Sequence, residues 1–305
     1  MSAVSRVNAS DVLALDLGGT SLRAGFFRAD APAEFEAVER WPAPESAEAL
    51  RDKVLALISA RSDVAPLAGI GITIPGLVEG TVARWVPNLP HLDGVDLAAL
   101  LAPAGAPVAA GNDAQMAMLA EAKLGAANGL DDAILLAIGT GIGSSVLAGG
   151  QIVRGVRGGA CSFGWAAADV SDPGEDRSGW LERQAAGRAL DARAREIGLA
   201  DGAALIAAAR QGERPASLAI HAAGTALGTA LAGAVALLDP AAVLLAGGVS
   251  ETIDVLGPPL RAALTRHLPP HLRGIEIRPG RFGPQAGLVG AAVAAGRGAE
   301  WWRVR

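Results

Sequence analysis

Apolar residues along this chain fall into short blocks separated by glycine-rich turns. Val12–Asp16 and Ser21–Phe27 flank Gly18-Gly19, a pattern that predicts two strands joined by a tight turn, a β-hairpin and not a strand feeding a helix. Apolar positions at helical spacing over Ser46–Ile58 predict a helix capped by Ser46, and Gly69–Ile74 predicts a short buried strand. Pro107–Ala110 reads as a strand that enters a helix over Asp113–Leu124. The opening theme then recurs: an apolar strand Ala133–Ile138, the turn Gly139–Gly143, Ser145–Leu147 and, after Gly149-Gly150, Gln151–Val153. Val243–Ala246 predicts a further strand that runs through Gly247-Gly248 into a helix-like Glu251–Leu256. The Ala-rich segment Ala286–Gly296 predicts a closing helix able to pack tightly on the first half.

Two hairpin-led units with helices between and after them predict a duplicated α/β architecture, with a cleft between the halves as the expected binding site. Leu101–Pro107 and Gly155–Gly159 read as loops. A length of 305 residues accommodates two domains. The division expected is 1–112, completed by a C-terminal helix over 286–305, against 113–285. The uncharged stretch Ala222–Leu238 is so rich in Ala and Gly that its transfer to lipid would be weak, so a buried helix is expected there and no membrane span.

Composition narrows the partners. With 51% hydrophobic and 19% charged residues, the chain has enough apolar surface to exclude disorder. A net charge of −5 and the lack of any long basic run argue against nucleic acid, so the expected ligand is small. Cys161 is the sole cysteine, and His91, His221, His267 and His271 lie scattered without metal-ligand spacing, so no structural zinc is expected. Met1–Asp11 carries no secretory signal pattern, which makes the cytoplasm the default expectation.

Three glycine turns and one carboxylate carry the candidate chemistry. In Asp16-Leu17-Gly18-Gly19-Thr20, two glycines let backbone N–H groups face a phosphate, Thr20 offers a hydroxyl and Asp16 a carboxylate for a metal. An ordinary hairpin turn explains that motif equally well on its own. Gly139-Thr140-Gly141-Ile142-Gly143 repeats the same chemistry a domain later, and the repetition favours phosphate. Ser144 follows where a dinucleotide fingerprint needs a helix, and no Walker A lysine motif exists. Gly247-Gly248 would let a nucleotide base or ribose lie against backbone. Asn112-Asp113, at a strand-to-helix junction, offers Asp113 as a base for an acceptor hydroxyl. Helix capping is the competing role of that dipeptide.

In their order, these residues resemble the ROK group of bacterial sugar kinases and repressors, within the hexokinase and actin superfamily. Asp16–Thr20 is similar to its first phosphate motif, Gly71–Gly76 to the following strand and loop, and Val86–Pro90 to its substrate-side turn. The segment from Asn112-Asp113 to Glu121 resembles the one carrying the catalytic aspartate, Gly139–Gly143 the second phosphate motif, and Trp180-Leu181-Glu182 a Cys-Leu-Glu element. Asp239–Gly248 resembles the adenosine-side motif and Gly287–Ala292 the closing helix. The resemblance implies a two-domain actin-like ATPase (ribonuclease H-like) fold and an ATP-dependent kinase acting on a sugar hydroxyl. Asp113 would be the base. Gly76, Asn88, Asn112 and Glu182 would lie on the acceptor side, and Gly18, Gly19, Thr20, Gly139, Thr140, Gly141 and Gly143 would face phosphates. Gly247 and Gly248 would line adenosine, magnesium would accompany ATP near Asp16, and a homodimer would be expected.

One departure affects the acceptor. Family kinases carry a Glu-x-Gly-His element followed by zinc-binding cysteines, whereas here the stretch reads Ser162-Phe163-Gly164-Trp165 and no cysteine follows. Losing the glutamate removes charged hydrogen bonds of roughly 1.5–3 kcal/mol each. Trp165 would stack on an apolar sugar face or shrink the pocket, while Trp180 is expected simply to pack. The acceptor would then be a sugar, an unusual sugar or a smaller polyol. The rivals are a ROK-type sugar sensor or regulator and a catalytically silent binding protein. About a dozen residues precede the first strand, too few for a helix-turn-helix segment.

Overall fold

The computed structural model describes residues 11–60, 66–248 and 252–305. In chain order the elements begin with β1 (Asp11–Leu17), β2 (Ser21–Arg28), β3 (Ala31–Pro42), α1 (Ala47–Ser59), β4 (Gly69–Ile74), β5 (Leu77–Glu79) and β6 (Val82–Trp85). There follow α2 (Leu97–Leu100), β7 (Val108–Asn112), α3 (Asp113–Leu124), β8 (Ala133–Ile138), β9 (Ile142–Ala148) and β10 (Gln151–Ile152). The remainder comprises α4 (Trp180–Ala185), α5 (Gly187–Glu196), α6 (Gly202–Arg210), α7 (Arg214–Leu238), β11 (Ala242–Ala246), α8 (Ile253–His267), β12 (Glu276–Pro279) and α9 (Ala286–Arg297).

Two compact units result. The first holds the described residues of Met1–Asn128, Gln151–Ala160 and Gln285–Arg305, and the second those of Gly129–Gly150 and Cys161–Pro284. The expected division at 112/113 therefore needs correction, because α3 stays with the first unit. Its backbone touches that of α9: a side chain on Gly290 would overlap the Met116 carbonyl. Close helix contact of that kind needs small residues on the facing side.

In the first unit the sheet runs β3-β2-β1-β4-β7, with β1 antiparallel to β2 and parallel to β4, and β4 parallel to β7. Alternation along β1 sends its residues to two cores, as a strand buried on both faces requires. Leu13, Leu15 and Leu17 pack with Leu50 and Val54 of α1, while Val12 and Ala14 pack with Leu288, Ala291 and Ala292 of α9. The first hairpin and the Ser46 cap match the expectation from the sequence: the Ser46 hydroxyl accepts from Ala49 N–H at 3.1 Å. β3 was not foreseen, since Glu34, Glu39 and Arg40 interrupt any apolar run on what proves to be the sheet's edge.

In the second unit β9-β8-β11-β12 are neighbours, β8 pairing antiparallel with β9 and parallel with β11. The predicted hairpin is present, with β9 beginning at Ile142 instead of Ser145. Helix α7 is longer than expected, starting at Arg214. It is long and apolar enough to cross a membrane by composition, yet Leu227, Leu231 and Val235 are buried in this unit's core. Gly224 and Gly228 let it lie directly on the α8 backbone at Leu256 and Leu260. The expected helix over Glu251–Leu256 is observed from Ile253 and extends to His267 through Pro258-Pro259, while Glu251 lies outside the described residues.

A side chain on Gly71 of β4 would overlap the Ala291 carbonyl, backbone against backbone. Gly71→Ala is thus expected to cost about 1–3 kcal/mol in denaturant unfolding. Nothing lies within 4 Å of a side chain built at Gly296, so Gly296→Ala, in the last turn of α9, should gain up to about 1 kcal/mol. Equal midpoints for the two variants would contradict this packing.

Candidate active site

Strand β7 ends and helix α3 begins without a loop, and that corner carries the candidate base. Asn112 is the cap: its Oδ1 accepts from Ala114 N–H at 2.9 Å, and Gln115 Oε1 accepts from Asn112 N–H at 3.5 Å. Its Nδ2 also donates to the Gly76 carbonyl at 3.0 Å, which ties the loop after β4 to the corner. Of the two roles that the dipeptide left open, capping falls to its first member. Asn112 caps, and Asp113 stands at the first helical position with one oxygen accepting from Ala114 N–H at 2.7 Å.

Asp113 is exposed by surface area yet recessed among protein atoms that keep bulk water away. Desolvation is the chief cause that pushes its carboxyl up to about 6, and the nearby Asp16 charge adds to it while the Ala114 N–H opposes. A carboxylate poised there is ionised at neutral pH and basic enough to take a proton from an alcohol.

The Gly18-Gly19-Thr20 turn sits in the same unit, closed by Gly18 N–H donating to the Ser21 carbonyl at 2.8 Å. A side chain at Gly19 would come within 2.7 Å of Asn88 Cβ, so the predicted substrate-side Asn88 lies against the first glycine turn. A second close approach, of the Trp85 backbone to Gly76, keeps that loop beside the β6 end. Asp16, Gly18, Gly19, Thr20, Gly76, Asn88, Asn112 and Asp113 are therefore assembled in one unit.

Sequence reasoning missed Arg23. It stands opposite Asp16 in the β1–β2 register, and both its Nε, at 2.9 Å, and its Nη2 donate to Asp16 Oδ2. Counting back from the hairpin turn would have found this cross-strand pair of opposite charges. Asp16 is thus no open metal carboxylate, because one oxygen is held by a guanidinium. Its partner across β1–β4, Thr73, is fully buried and its Oγ1 has no hydrogen-bond partner. Magnesium keeps several waters and binds few carboxylates. The remaining Asp16 oxygen fits such an ion held through water. Among the described residues no group of three or more His, Cys, Asp or Glu is arranged to hold a metal.

The second unit assembles the other predicted residues. Glu182, from α4, accepts from Ile142 N–H through Oε1 at 2.9 Å, and a side chain at Gly141 would come within 2.6 Å of that oxygen. The start of α5 grips the same turn, Gly187 N–H donating to the Gly139 carbonyl at 2.7 Å. Glu182 is therefore engaged in shaping the Gly139–Gly143 turn, in addition to the acceptor role that the resemblance implied. Gly247, at φ 77, packs on the Ile138 backbone and brings Gly247-Gly248 beside that turn.

Ser144 Oγ donates to the Cys161 carbonyl and accepts from Phe163 N–H at 3.1 Å, so it sets the turn bearing Ser162 and Trp165. Both of those are exposed, whereas Trp180 packs against the core. The segment that follows is stapled by Arg183, whose Nη2 reaches both Asp172 oxygens at 2.6 Å and whose Nη1 reaches the Ser178 carbonyl at 2.6 Å.

A family model described as the ROK family matches residues 12–297. N-acetylmannosamine kinase of Shigella flexneri is 31% identical over 293 residues, which cover 93% of this chain and 98% of that protein. The crystal structure of a ROK hexokinase from Thermus thermophilus superposes with a TM-score of 0.78 at 32% identity, covering 93% of this chain and 97% of that one. A ROK family glucokinase from Streptomyces griseus, solved with glucose and AMPPNP, gives 0.77 at 28% identity, covering 95% and 100%.

Because the Asp113 carboxyl is raised to about 6 and must be ionised to act, kcat/KM is expected to climb tenfold per pH unit below about 6 and to level above it. Asp16→Asn removes a charge that raises this group and should move the limb to lower pH. A flat profile between pH 4.5 and 8 would contradict the assignment. Glu182→Ala leaves the Ile142 N–H without its carboxylate, a loss of about 1–3 kcal/mol, and is expected to raise the KM for ATP in steady-state kinetics.

Proposed function

This chain belongs to the ROK family, and from that premise we propose that it is an ATP-dependent kinase that phosphorylates a hydroxyl of a sugar or sugar derivative. It has the α/β actin-like ATPase fold of the solved family kinases. The observation that carries the reading is Asp113: a carboxylate on a strand-to-helix corner, raised to about 6 by desolvation and by the nearby Asp16 charge.

In the proposed reaction the acceptor hydroxyl hydrogen-bonds to Asp113, which takes its proton as the oxygen attacks the γ-phosphorus. One O–P bond forms, the bond from the γ-phosphorus to the β,γ-bridging oxygen breaks, and ADP leaves. Asn112 holds the corner and the Gly76 loop in place. The backbone amides of Gly19, Thr20, Thr140 and Gly141 would contact phosphate oxygens, Gly247-Gly248 would lie along the nucleoside, and Asn88 would meet the acceptor. Magnesium, bound with ATP and reached through water by Asp16, would supply charge neutralisation at the phosphates.

The relatives act on hexoses and an N-acylhexosamine, which makes those the first acceptors to test. Ser162 carries no charge with which to grip hydroxyls, and exposed Trp165 offers an aromatic face instead. A homodimer in the cytoplasm completes the proposal, on family grounds alone.

Wild type and Asp113→Asn should be compared by coupled ADP release with ATP across hexoses, amino sugars, N-acyl sugars, anhydrosugars and polyols. Turnover of at least one hexose or hexosamine is expected, with a loss of about 10²–10⁴-fold in the variant. Undiminished phosphorylation by Asp113→Asn would remove the mechanism.

A further inference from the structure

Immediately before the Asn112-Asp113 corner lies Gly111, buried in β7 and paired with Thr73 of β4. A side chain there would meet Met116 Cε at 2.7 Å and two atoms of the Trp301 ring, Cζ2 at 2.9 Å and Cη2 at 3.1 Å. Trp301 belongs to the C-terminal tail beyond α9 and is only 3% exposed. Its ring occupies the volume that any other residue at 111 would fill.

The tail is held at several points. Lys123, in the last turn of α3, donates to the Val304 carbonyl, and Arg297 of α9 donates to the Arg303 carbonyl. Gln151 of β10 bridges to Arg303, and Ile152 N–H donates to the Trp302 carbonyl at 2.9 Å. The segment after β10 in turn reaches the β5–β6 hairpin, because Gly158 at φ 75 packs directly on the Val78 backbone. One short tail thus bears on the C-terminal turn of α3, on the strand that delivers Asp113, and, through the segment that follows β10, on the hairpin next to the Gly76 loop.

We propose that Trp301 is a positioning residue for the phosphoryl transfer: its ring, packed on Gly111, fixes the β7–α3 corner and hence the direction of the Asp113 carboxylate. The proposal rests on Asp113 being the base. Met116 contributes the flexible end of an unbranched side chain and can yield. The indole is rigid and anchored by the tail, so it sets the position. A shift of about 1 Å at a catalytic group costs on the order of 100-fold in rate, which gives a buried ring packed on the backbone two residues before Asp113 a kinetic effect out of proportion to its share of stability.

The test is a double-mutant cycle of Gly111→Ala and Trp301→Phe, the latter removing the outer ring atoms that a side chain at 111 would strike. Each variant is measured for kcat and both KM values with the best acceptor of the sugar panel, and for its unfolding midpoint. Gly111→Ala alone is expected to lower kcat at least about tenfold with the KM for ATP within twofold of wild type. Adding Trp301→Phe should restore most of that kcat.

Multiplicative losses in the double variant, or full activity of Gly111→Ala, would overturn the proposal. So would coupling seen in the unfolding midpoints but absent from kcat, since the ring would then pack without positioning. Asp113→Asn, run alongside, separates the two assignments. If it keeps full turnover, the base is wrong, and the coupling in kcat still reports whether the ring acts on the corner.

Discussion

One amide side chain holds the β7–α3 corner together. Asn112 satisfies the first turn of α3 with its oxygen and the Gly76 carbonyl with its nitrogen, so a sheet strand, a helix and the loop after β4 meet at a single residue. With cap and loop tie both taken up by Asn112, the adjacent Asp113 is left to accept from Ala114 N–H through one carboxylate oxygen. Rigid support of this kind places a carboxylate more closely than a loop would.

The two units follow one plan with different braces. In each, an apolar strand runs into a glycine turn and returns antiparallel. The first turn is steadied by Asn88 packed on Gly19, and the strand before it carries the Asp16–Arg23 pair. The second is gripped from behind by Glu182 and by the start of α5. Internal bonds also close the turns themselves, Gly18 N–H donating to the Ser21 carbonyl and Gly139 N–H to the Gly141 carbonyl. Arg183 takes over the fastening of the segment that precedes α4 through its pair with Asp172.

Much of this was legible in the order of residues. Both hairpins, the Ser46 cap and the Asn112-Asp113 junction follow from local periodicity and turn chemistry, where the deciding contacts are a few residues apart. The Asp16–Arg23 pair needed the hairpin register, which the turn length determines only once the strands are assigned. Glu182 on the Ile142 amide and Trp301 under Gly111 could not be read at all, because those partners are joined by tertiary packing and not by any local period. The boundary at 112/113 failed for the same reason. A helix beginning at a functional residue looked like the start of a domain, whereas its glycine-mediated contact with α9 assigns it to the first unit.

The central claim is geometric: the acceptor hydroxyl meets the carboxylate at the β7–α3 corner. A crystal structure of the wild-type protein with a turned-over sugar and a non-hydrolysable ATP analogue measures it directly. The account predicts the phosphorylated hydroxyl within about 2.6–3.2 Å of an Asp113 oxygen. A sugar bound with that hydroxyl hydrogen-bonded elsewhere, and Asp113 facing away from it, would contradict the account.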